Sequence, residues 1–167
     1  MSGKVILIAR TSPLQLELNI NTRSLSADDI ETLGKLYFDA YDKGLAEQTL
    51  EEATANIAAS FDGKYGKLLT DASQVALDDD GNIVAGVLVV ERSSYDGTPD
   101  APFLIELFTD RDHRRQGLAE RLVITSADKL FNLGYREVAV RVKESNSAAL
   151  ALYLSLDFQR WDAEQED

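Results

Sequence analysis

An apolar segment that enters a helix through a short basic turn is the feature that most constrains this chain. The apolar segment spans residues 104–109 and the helical run ends near Gly134, with Gly117 in the turn between them. A helix that begins at such a turn presents backbone N–H groups without helical partners at the positive end of its dipole. Because this arrangement attracts phosphate groups, the segment predicts a site for a phosphate-bearing ligand.

The turn is basic, although the chain as a whole is acidic. The 167 residues include 29 acidic and 17 basic ones, for a formal net charge of -12, yet Arg111, His113, Arg114 and Arg115 lie in one short turn. Cations at a helix N-terminus are unfavourable unless an anion balances them, so the basic residues of the turn support phosphate binding. The overall acidity argues against nucleic-acid binding, which requires a basic surface. It would attract cationic partners, although solubility alone also accounts for it.

The composition predicts a single folded domain over residues 1–167. Hydrophobic residues make up 44% of the chain, and its length suits one ordinary core. The absence of cysteine excludes disulfides and thiolate metal ligands, and we expect no metal. The apolar run at residues 5–9 is too short to span a bilayer and lacks a signal-peptide pattern. We therefore expect a cytoplasmic protein without membrane contact.

Hydrophobic periodicity predicts seven strands and four helices. The strands are expected at residues 4–10, 14–21, 73–77, 83–91, 103–109, 137–142 and 158–161. The helices are expected to begin at Ser26, at Thr49, near Arg115 and at Ser145 or Asn146, and the apolar face of the first includes Tyr41. Residues 1–21 then supply two extra N-terminal strands, and residues 162–167 form an acidic tail.

This order of elements predicts an α+β (α/β mixed) fold with three layers. The short turns favour a central mixed, mostly antiparallel sheet with helices on both faces. The strand–helix–strand unit around the basic turn requires a parallel crossover, so the cofactor site is expected on a parallel pair.

Two short motifs lie on this unit and after it. The first, Arg-Arg-Gln-Gly-Leu-Ala at residues 114–119, fits R/Q-x-x-G-x-G/A. The second, Asn-Ser-Ala-Ala from Asn146 with Tyr153 and Phe158 beyond it, resembles N-x-x-A…L-Y…G-F. The first motif alone is a weak match, but the second stands at the right distance, with a strand before each. Together they resemble the GNAT superfamily of acyl-CoA N-acyltransferases over about residues 22–161.

The resemblance implies that acetyl-CoA is the acyl donor and that the basic turn binds its pyrophosphate. Gly117 lets the pyrophosphate approach the backbone, and the small side chain of Ala119 serves the same closeness. The backbone N–H groups that would bind it belong to Arg115, Gln116, Gly117, Leu118 and Ala119. The side chain of Arg114 or Arg115 would add positive charge.

The strand before the turn has a second implied role. By resemblance, Leu107, Phe108 and Thr109 hold the positions that pair with the pantetheine arm, and a main-chain N–H there polarises the acetyl carbonyl. Asn146 would contact the pantetheine or the pyrophosphate, and it is also a good helix N-cap.

The resemblance also suggests which side chains move protons. Tyr153 aligns with the tyrosine that protonates the departing thiolate, although its helical spacing from Leu150 also suits a core residue. Glu106, the only carboxylate in the strand at 103–109, is a candidate general base acting directly or through water. The alternative for Glu106 is an ion pair with Arg141. His113 is read as a ligand contact or a solvated turn residue.

The expected function is N-acetylation of a primary amine on a small cationic molecule, by direct attack in a ternary complex. The alternatives are acetylation of a protein lysine or N-terminus, and a regulatory module that binds acyl-CoA without turnover. Arg141 stands where acetyltransferases of ribosomal-protein N-termini have a catalytic glutamate, and Asp157 replaces the usual glycine before Phe158. We also expect the strand at residues 4–10 to lie at a sheet edge or across a homodimer.

Overall fold

A computed structural model describes residues 3–15, 17–40 and 49–162. Its strands are β1 (Lys4–Arg10), β2 (Asn21–Ser24), β3 (Gln74–Leu77), β4 (Ile83–Val90), β5 (Phe103–Thr109), β6 (Glu137–Lys143) and β7 (Gln159–Trp161). Its helices are α1 (Ile30–Ala40), α2 (Leu50–Phe61), α3 (Leu118–Asn132) and α4 (Ser147–Ser155). The predicted positions of Tyr41 and of the tail at residues 163–167 lie outside the described residues.

The strands form one sheet in the order β2-β3-β4-β5-β6-β1-β7. Strands β5 and β6 are parallel, and the other neighbouring strands are antiparallel. The predicted α+β fold with a mixed, mostly antiparallel sheet is therefore confirmed.

Helices cover both faces of this sheet. Helices α1 and α2 bury Leu33 and Ile57 against Leu88 and Phe108 on one face. On the other face, α3 and α4 enclose the larger core, whose members include Leu122, Leu130, Tyr153 and Phe158. Burial of apolar side chains on both sides stabilises the three-layer arrangement.

The predicted helix starts agree with the local capping chemistry. Ser26 caps a short 3-10 turn that leads into α1, and its backbone N–H donates to the carboxylate of Asp29 at 2.9 Å. Thr49 Oγ1 accepts from the N–H of Glu52 at 3.0 Å. Each side-chain oxygen satisfies a backbone donor that the helix itself cannot pair.

Strand β1 lies inside the sheet, between β6 and β7, and the prediction that it forms a sheet edge is wrong. Ile6 is the register partner of both Arg141 on β6 and Trp161 on β7. Val5 and Leu7 point into the core beneath α3 and α4. One edge of β1 is thus paired along its length and the other over Ile6, Leu7 and Ile8, and β7 forms the edge of the sheet. A homodimer stays a prediction.

The strand predicted over residues 14–21 is wrong. The described residues between Thr11 and Ile20 form no regular element, and the strand that pairs with β3 is Asn21–Ser24. Alternation of apolar and polar residues specifies a strand only where a sheet edge is available. Here the segment runs along α3 instead, and the N–H of Leu14 donates to Asp128 Oδ1 at 2.9 Å.

Among the helices of the described residues, none combines the length and apolar character needed to cross a bilayer. The cytoplasmic location stays a prediction.

Candidate active site

Strands β5 and β6 separate and form a wedge-shaped opening. Their register pairs are Phe103 with Ala139 and Leu104 with Val140, and within the described chain no further pair joins them. Between Glu106 and Leu104, the register of β5 against β4 shifts by one residue. Such a bulge bends a strand and increases its twist. The edge of β5 that faces the wedge therefore keeps backbone groups without a partner on β6, which a ligand can bind.

The basic turn closes one end of this wedge. Gly117 is the N-cap of α3 with φ 76°, and Arg115 also has a positive φ of 65°. Because glycine has no side chain to cap the helix, the first N–H groups of α3 point outward from its positive end. A Cβ atom placed on Gly117 would come within 3.5 Å of an Arg121 nitrogen, the end of a flexible side chain, and would meet no closer backbone atom from elsewhere in the described chain. This geometry fits a diphosphate bound to backbone amides.

The arginines of the turn have different partners. Arg111 Nε donates to the carbonyl of Asp39 at 2.7 Å, and the guanidinium of Arg114 donates to the carbonyl of Ala40. These carbonyls end α1 and carry the negative end of its dipole, so both cations stabilise that helix end. Arg115 is exposed, and among the described residues it makes no hydrogen bond or ion pair.

Arg121 is a residue of this turn that the sequence analysis missed. Its guanidinium donates to the carbonyl of Gly117 at 3.3 Å, to that of Asn19 at 2.9 Å and to that of Gln116. The cation thus holds the turn from its carbonyl side and ties it to the segment before β2. Arg121 stands one helical turn after Gly117, and this spacing could have indicated the contact from the sequence.

His113 lies within the turn and contacts Asp110. Its Nδ1 atom is 2.8 Å from Asp110 Oδ2, and both side chains are about one third exposed. The contact stabilises the 3-10 turn at Arg111–His113. A direct contact between His113 and a ligand stays a prediction.

Tyr153 and Glu106 approach the wedge from α4 and β5. The Tyr153 side chain is buried, and its ring meets the ring of Phe158 edge-on with centroids 5.2 Å apart. Burial raises the pKa of the Tyr153 hydroxyl, and the negative charge of Glu106 raises it further. The hydroxyl is therefore protonated at neutral pH and can donate a proton.

The remaining strand residues of the predicted site divide between the two faces of the sheet. Phe108 is buried on the α1 side, with its ring centroid 5.7 Å from that of Tyr37. Leu107 packs toward the core beneath α3 and α4, and Thr109 is half-buried opposite Ala85. The side chains are thus used for packing, which leaves the main chain of β5 to face the wedge.

The comparison with protein families is decisive. The model of the acetyltransferase (GNAT) family matches residues 32–158. This chain belongs to the GNAT family. N-alpha-acetyltransferase 30 of Schizosaccharomyces pombe is 32% identical over 89 residues, which make up 53% of this chain and 58% of that relative. The chain therefore spans less than two thirds of that relative's length.

Solved structures confirm the GNAT fold. The GCN5-related N-acetyltransferase from Sphaerobacter thermophilus superposes with a TM-score of 0.69 at 17% identity, over 95% of this chain and 48% of that one. The structure of AAC(6')-Iy, in complex with the bisubstrate analog CoA-S-monomethyl-acetylneamine, has a TM-score of 0.63 at 19% identity. That match covers 84% of this chain and 91% of the other.

The second GNAT motif keeps its geometry despite its altered residue. Asn146 is the N-cap of α4, and its Oδ1 atom accepts from the N–H of Ala149 at 3.1 Å. Asp157, which replaces the motif glycine, has φ 67° after the end of α4. Aspartate is among the residues that tolerate this left-handed conformation, so the turn into Phe158 is retained. The capping role of Asn146 is confirmed, and its ligand contact stays a prediction.

Proposed function

We propose that the protein transfers an acetyl group from acetyl-CoA to a primary amine of a small molecule, by direct attack in a ternary complex. The observation that supports this most is the wedge between β5 and β6, with Tyr153 and Glu106 at its walls and the amides around Gly117 at its end. A diphosphate at the turn would direct the pantetheine arm along the free edge of β5. The thioester would then lie between Tyr153 and Glu106.

The residues of the wedge suit each proton movement of this reaction. Glu106, directly or through a water, takes a proton from the ammonium group, and the amine nitrogen attacks the thioester carbonyl carbon. A main-chain N–H among Leu107, Phe108 and Thr109 stabilises the developing oxyanion. The C–S bond breaks, and the thiolate takes the proton of the Tyr153 hydroxyl. On collapse to the amide, the nitrogen loses its second proton, which returns through solvent to the Tyr153 phenolate, and Glu106 releases its own proton to solvent.

The acceptor is proposed to be a small amine that is cationic at neutral pH. The net charge of -12 favours the approach of cations. The structural likeness to AAC(6')-Iy with its bisubstrate analog supports a small-molecule acceptor, whereas the sequence likeness to N-alpha-acetyltransferase 30 favours a protein N-terminus. Arg141 occupies the place of the glutamate expected of the second group, and this argues for the small molecule.

A thiol-release assay with acetyl-CoA tests the proposal. We expect amine-dependent release of CoA from a panel of small primary amines, and no release from peptides with free N-termini. Release with peptides alone would favour the protein acetyltransferase. Binding of CoA by calorimetry, without release from any amine or peptide, would favour a regulatory module and overturn the proposal.

A further inference from the structure

Arg141 is an exposed cation with no carboxylate partner in the described part of the chain. Its guanidinium carbon lies 4.7 Å from the centroid of the Tyr95 ring, and its side chain makes no hydrogen bond or ion pair there. Acidic residues outnumber basic ones by 29 to 17 in this protein, so a carboxylate would be readily available to pair an arginine. The predicted ion pair between Arg141 and Glu106 is therefore wrong.

The backbone of Tyr95 is held by two hydrogen bonds, although half of the residue's surface is exposed. Its N–H donates to Ser93 Oγ at 3.1 Å, and its carbonyl accepts from Thr98 Oγ1 at 2.8 Å. A guanidinium that stacks on an aromatic face keeps the donors at its edge available. The Tyr95 ring thus orients the guanidinium of Arg141, whose N–H groups can donate two parallel hydrogen bonds to a carboxylate.

Arg141 lies on the same face of the sheet as Glu106. On β6, Arg141 alternates with Ala139, which packs with Val90 and Phe103. On β4, Val90 alternates with Leu88, the register partner of Glu106. Alternate residues of a strand share one face, and so do directly opposed residues. Both charged side chains therefore lie on the face that α1 and α2 partly cover.

Both residues also lie where the wedge begins to open. Arg141 directly follows Val140 of the last β5–β6 pair, and Glu106 stands two positions after Leu104, its partner in that pair. With a rise of about 3.3 Å per residue, Arg141 and Glu106 lie only about 3 Å and 7 Å along their strands from that last pair. A molecule that presents an amine to Glu106 has a guanidinium within its reach.

We propose that the acceptor is a small dipolar amine, with its amine facing Glu106 and its carboxylate bound by Arg141 and flanked by Tyr95. This inference rests on the proposed acetyl transfer and narrows it from amines in general to amino-acid-like amines. The acidic surface draws the ammonium end, and Arg141 selects molecules that also carry an anion. Polyamines lack such an anion and leave the guanidinium without a partner.

The test uses pairs of amines that differ only in the carboxylate. Glycine, 3-aminopropanoate and 4-aminobutanoate are each compared with their primary amides in the thiol-release assay at saturating acetyl-CoA. We expect the best acid to exceed its amide by about 10- to 100-fold in kcat/KM, the range of one hydrogen-bonded charge pair. Arg141→Gln should abolish that preference by raising KM for the acid alone, and Arg141→Lys should restore part of it.

The matched control is Arg160→Gln. Arg160 is also exposed on the sheet, but its register partner Leu7 points into the core under α3 and α4, so Arg160 lies on the opposite face. This variant should keep the acid preference of the unmodified protein. Equal loss of preference in both variants would show a general charge effect and overturn the inference.

The outcomes separate the inference from the function on which it rests. Turnover of amides and acids at equal rates would support acetyl transfer but overturn the role of Arg141. Turnover confined to peptide N-termini would have the same consequence. If no amine is acetylated, the same pairs are titrated by calorimetry in the presence of CoA. Tighter binding of the acids, lost in Arg141→Gln, would support the anion site, and its absence would overturn it.

Discussion

Tyr153 on α4 is buried within electrostatic reach of Glu106 on β5, and the pKa of its hydroxyl is raised. Burial of the phenol is the larger cause of its raised pKa, and the negative charge of Glu106 adds to it. In the proposed mechanism, the carboxylate form of Glu106 therefore also favours the protonated form of Tyr153, from which a proton would pass to the thiolate. The relationship joins β5 to α4 across the wedge, two elements that lie far apart in the sequence.

Tyr153→Phe should lower kcat about 100-fold at neutral pH, because the thiolate then leaves without a nearby acid. The dissociation constant for CoA should stay unchanged, since the ring contact with Phe158 is retained. Thiol release gives the first quantity and calorimetry the second.

Tyr135→Phe is the control for that change. The Tyr135 hydroxyl donates to Glu91 Oε2 at 2.6 Å, at the end of the sheet away from the basic turn, and its pKa is raised by this contact. Its loss should leave kcat unchanged. A similar fall in kcat for both variants, or none for Tyr153→Phe, would refute the acid role.

The raised pKa of the Tyr153 hydroxyl predicts how the stability of the protein depends on pH. A tyrosine in the unfolded chain ionises near pH 10, whereas folding raises the pKa of Tyr153 above that value. Its contribution to the free energy of unfolding is therefore complete below about pH 10 and is lost as the pH rises toward the folded pKa. Urea titrations at pH 8 and pH 10.5 should show a larger loss for the unmodified protein than for Tyr153→Phe. Equal losses would contradict this linkage.

Glu106→Gln tests the proposed base. The amide keeps the shape of the side chain but cannot accept the ammonium proton, so kcat/KM at pH 7 should fall by about 100-fold. The variant should also depend more strongly on pH, because it relies on amine that is already neutral. A pH profile of kcat/KM from pH 6 to pH 9 measures both effects. A profile parallel to that of the unmodified protein would leave Glu106 a structural role only.

Local signals explain which parts of the fold were predictable from the sequence. The glycine at the start of α3, the side chains that cap α1 and α4, and the periodicity of each helix act within one turn of chain. The cofactor turn and the tyrosine of α4 were therefore predicted together with the elements that carry them. The parallel crossover followed from chain connectivity, since a strand–helix–strand unit has few alternatives.

Long-range pairing explains what the sequence analysis missed. The alternation from Leu14 to Ile20 suited a strand, but β3 accepts Asn21–Ser24 as its neighbour instead. The place of β1 depends on partners more than a hundred residues away in the chain, such as Arg141 for Ile6. The partners of the Arg111 and Arg114 side chains were also hidden, because they are carbonyls at the end of α1 that no spacing rule identifies.

Arg114 and Arg115, which the sequence left equivalent, should behave differently. Arg114→Gln removes a charged hydrogen bond to the end of α1 and should lower the free energy of unfolding by about 1 kcal/mol, with little effect on CoA binding. Arg115→Gln should weaken CoA binding about fivefold with no loss of stability, since Arg115 is exposed and its charge faces solvent. Thermal unfolding and calorimetry on the two variants decide this. A reversed pattern would mean that Arg114 leaves α1 when the ligand binds.

An alanine at Gly117 would have two effects, on diphosphate binding and on backbone strain, and an alanine at Gly81 separates them. Gly117 and Gly81 both have positive φ, 76° and 85°, and alanine at such a position costs about 1 kcal/mol. A Cβ atom on Gly81 meets nothing within 4 Å, and one on Gly117 meets only the flexible end of Arg121 at 3.5 Å. Both alanine variants should therefore fold and lose similar stability. Only Gly117→Ala adds a methyl group at the N-cap of α3, beside the amides proposed to bind the phosphate, so it alone should raise the dissociation constant for CoA, by tenfold or more. Equal affinities in the two variants would mean that the diphosphate does not bind at this turn.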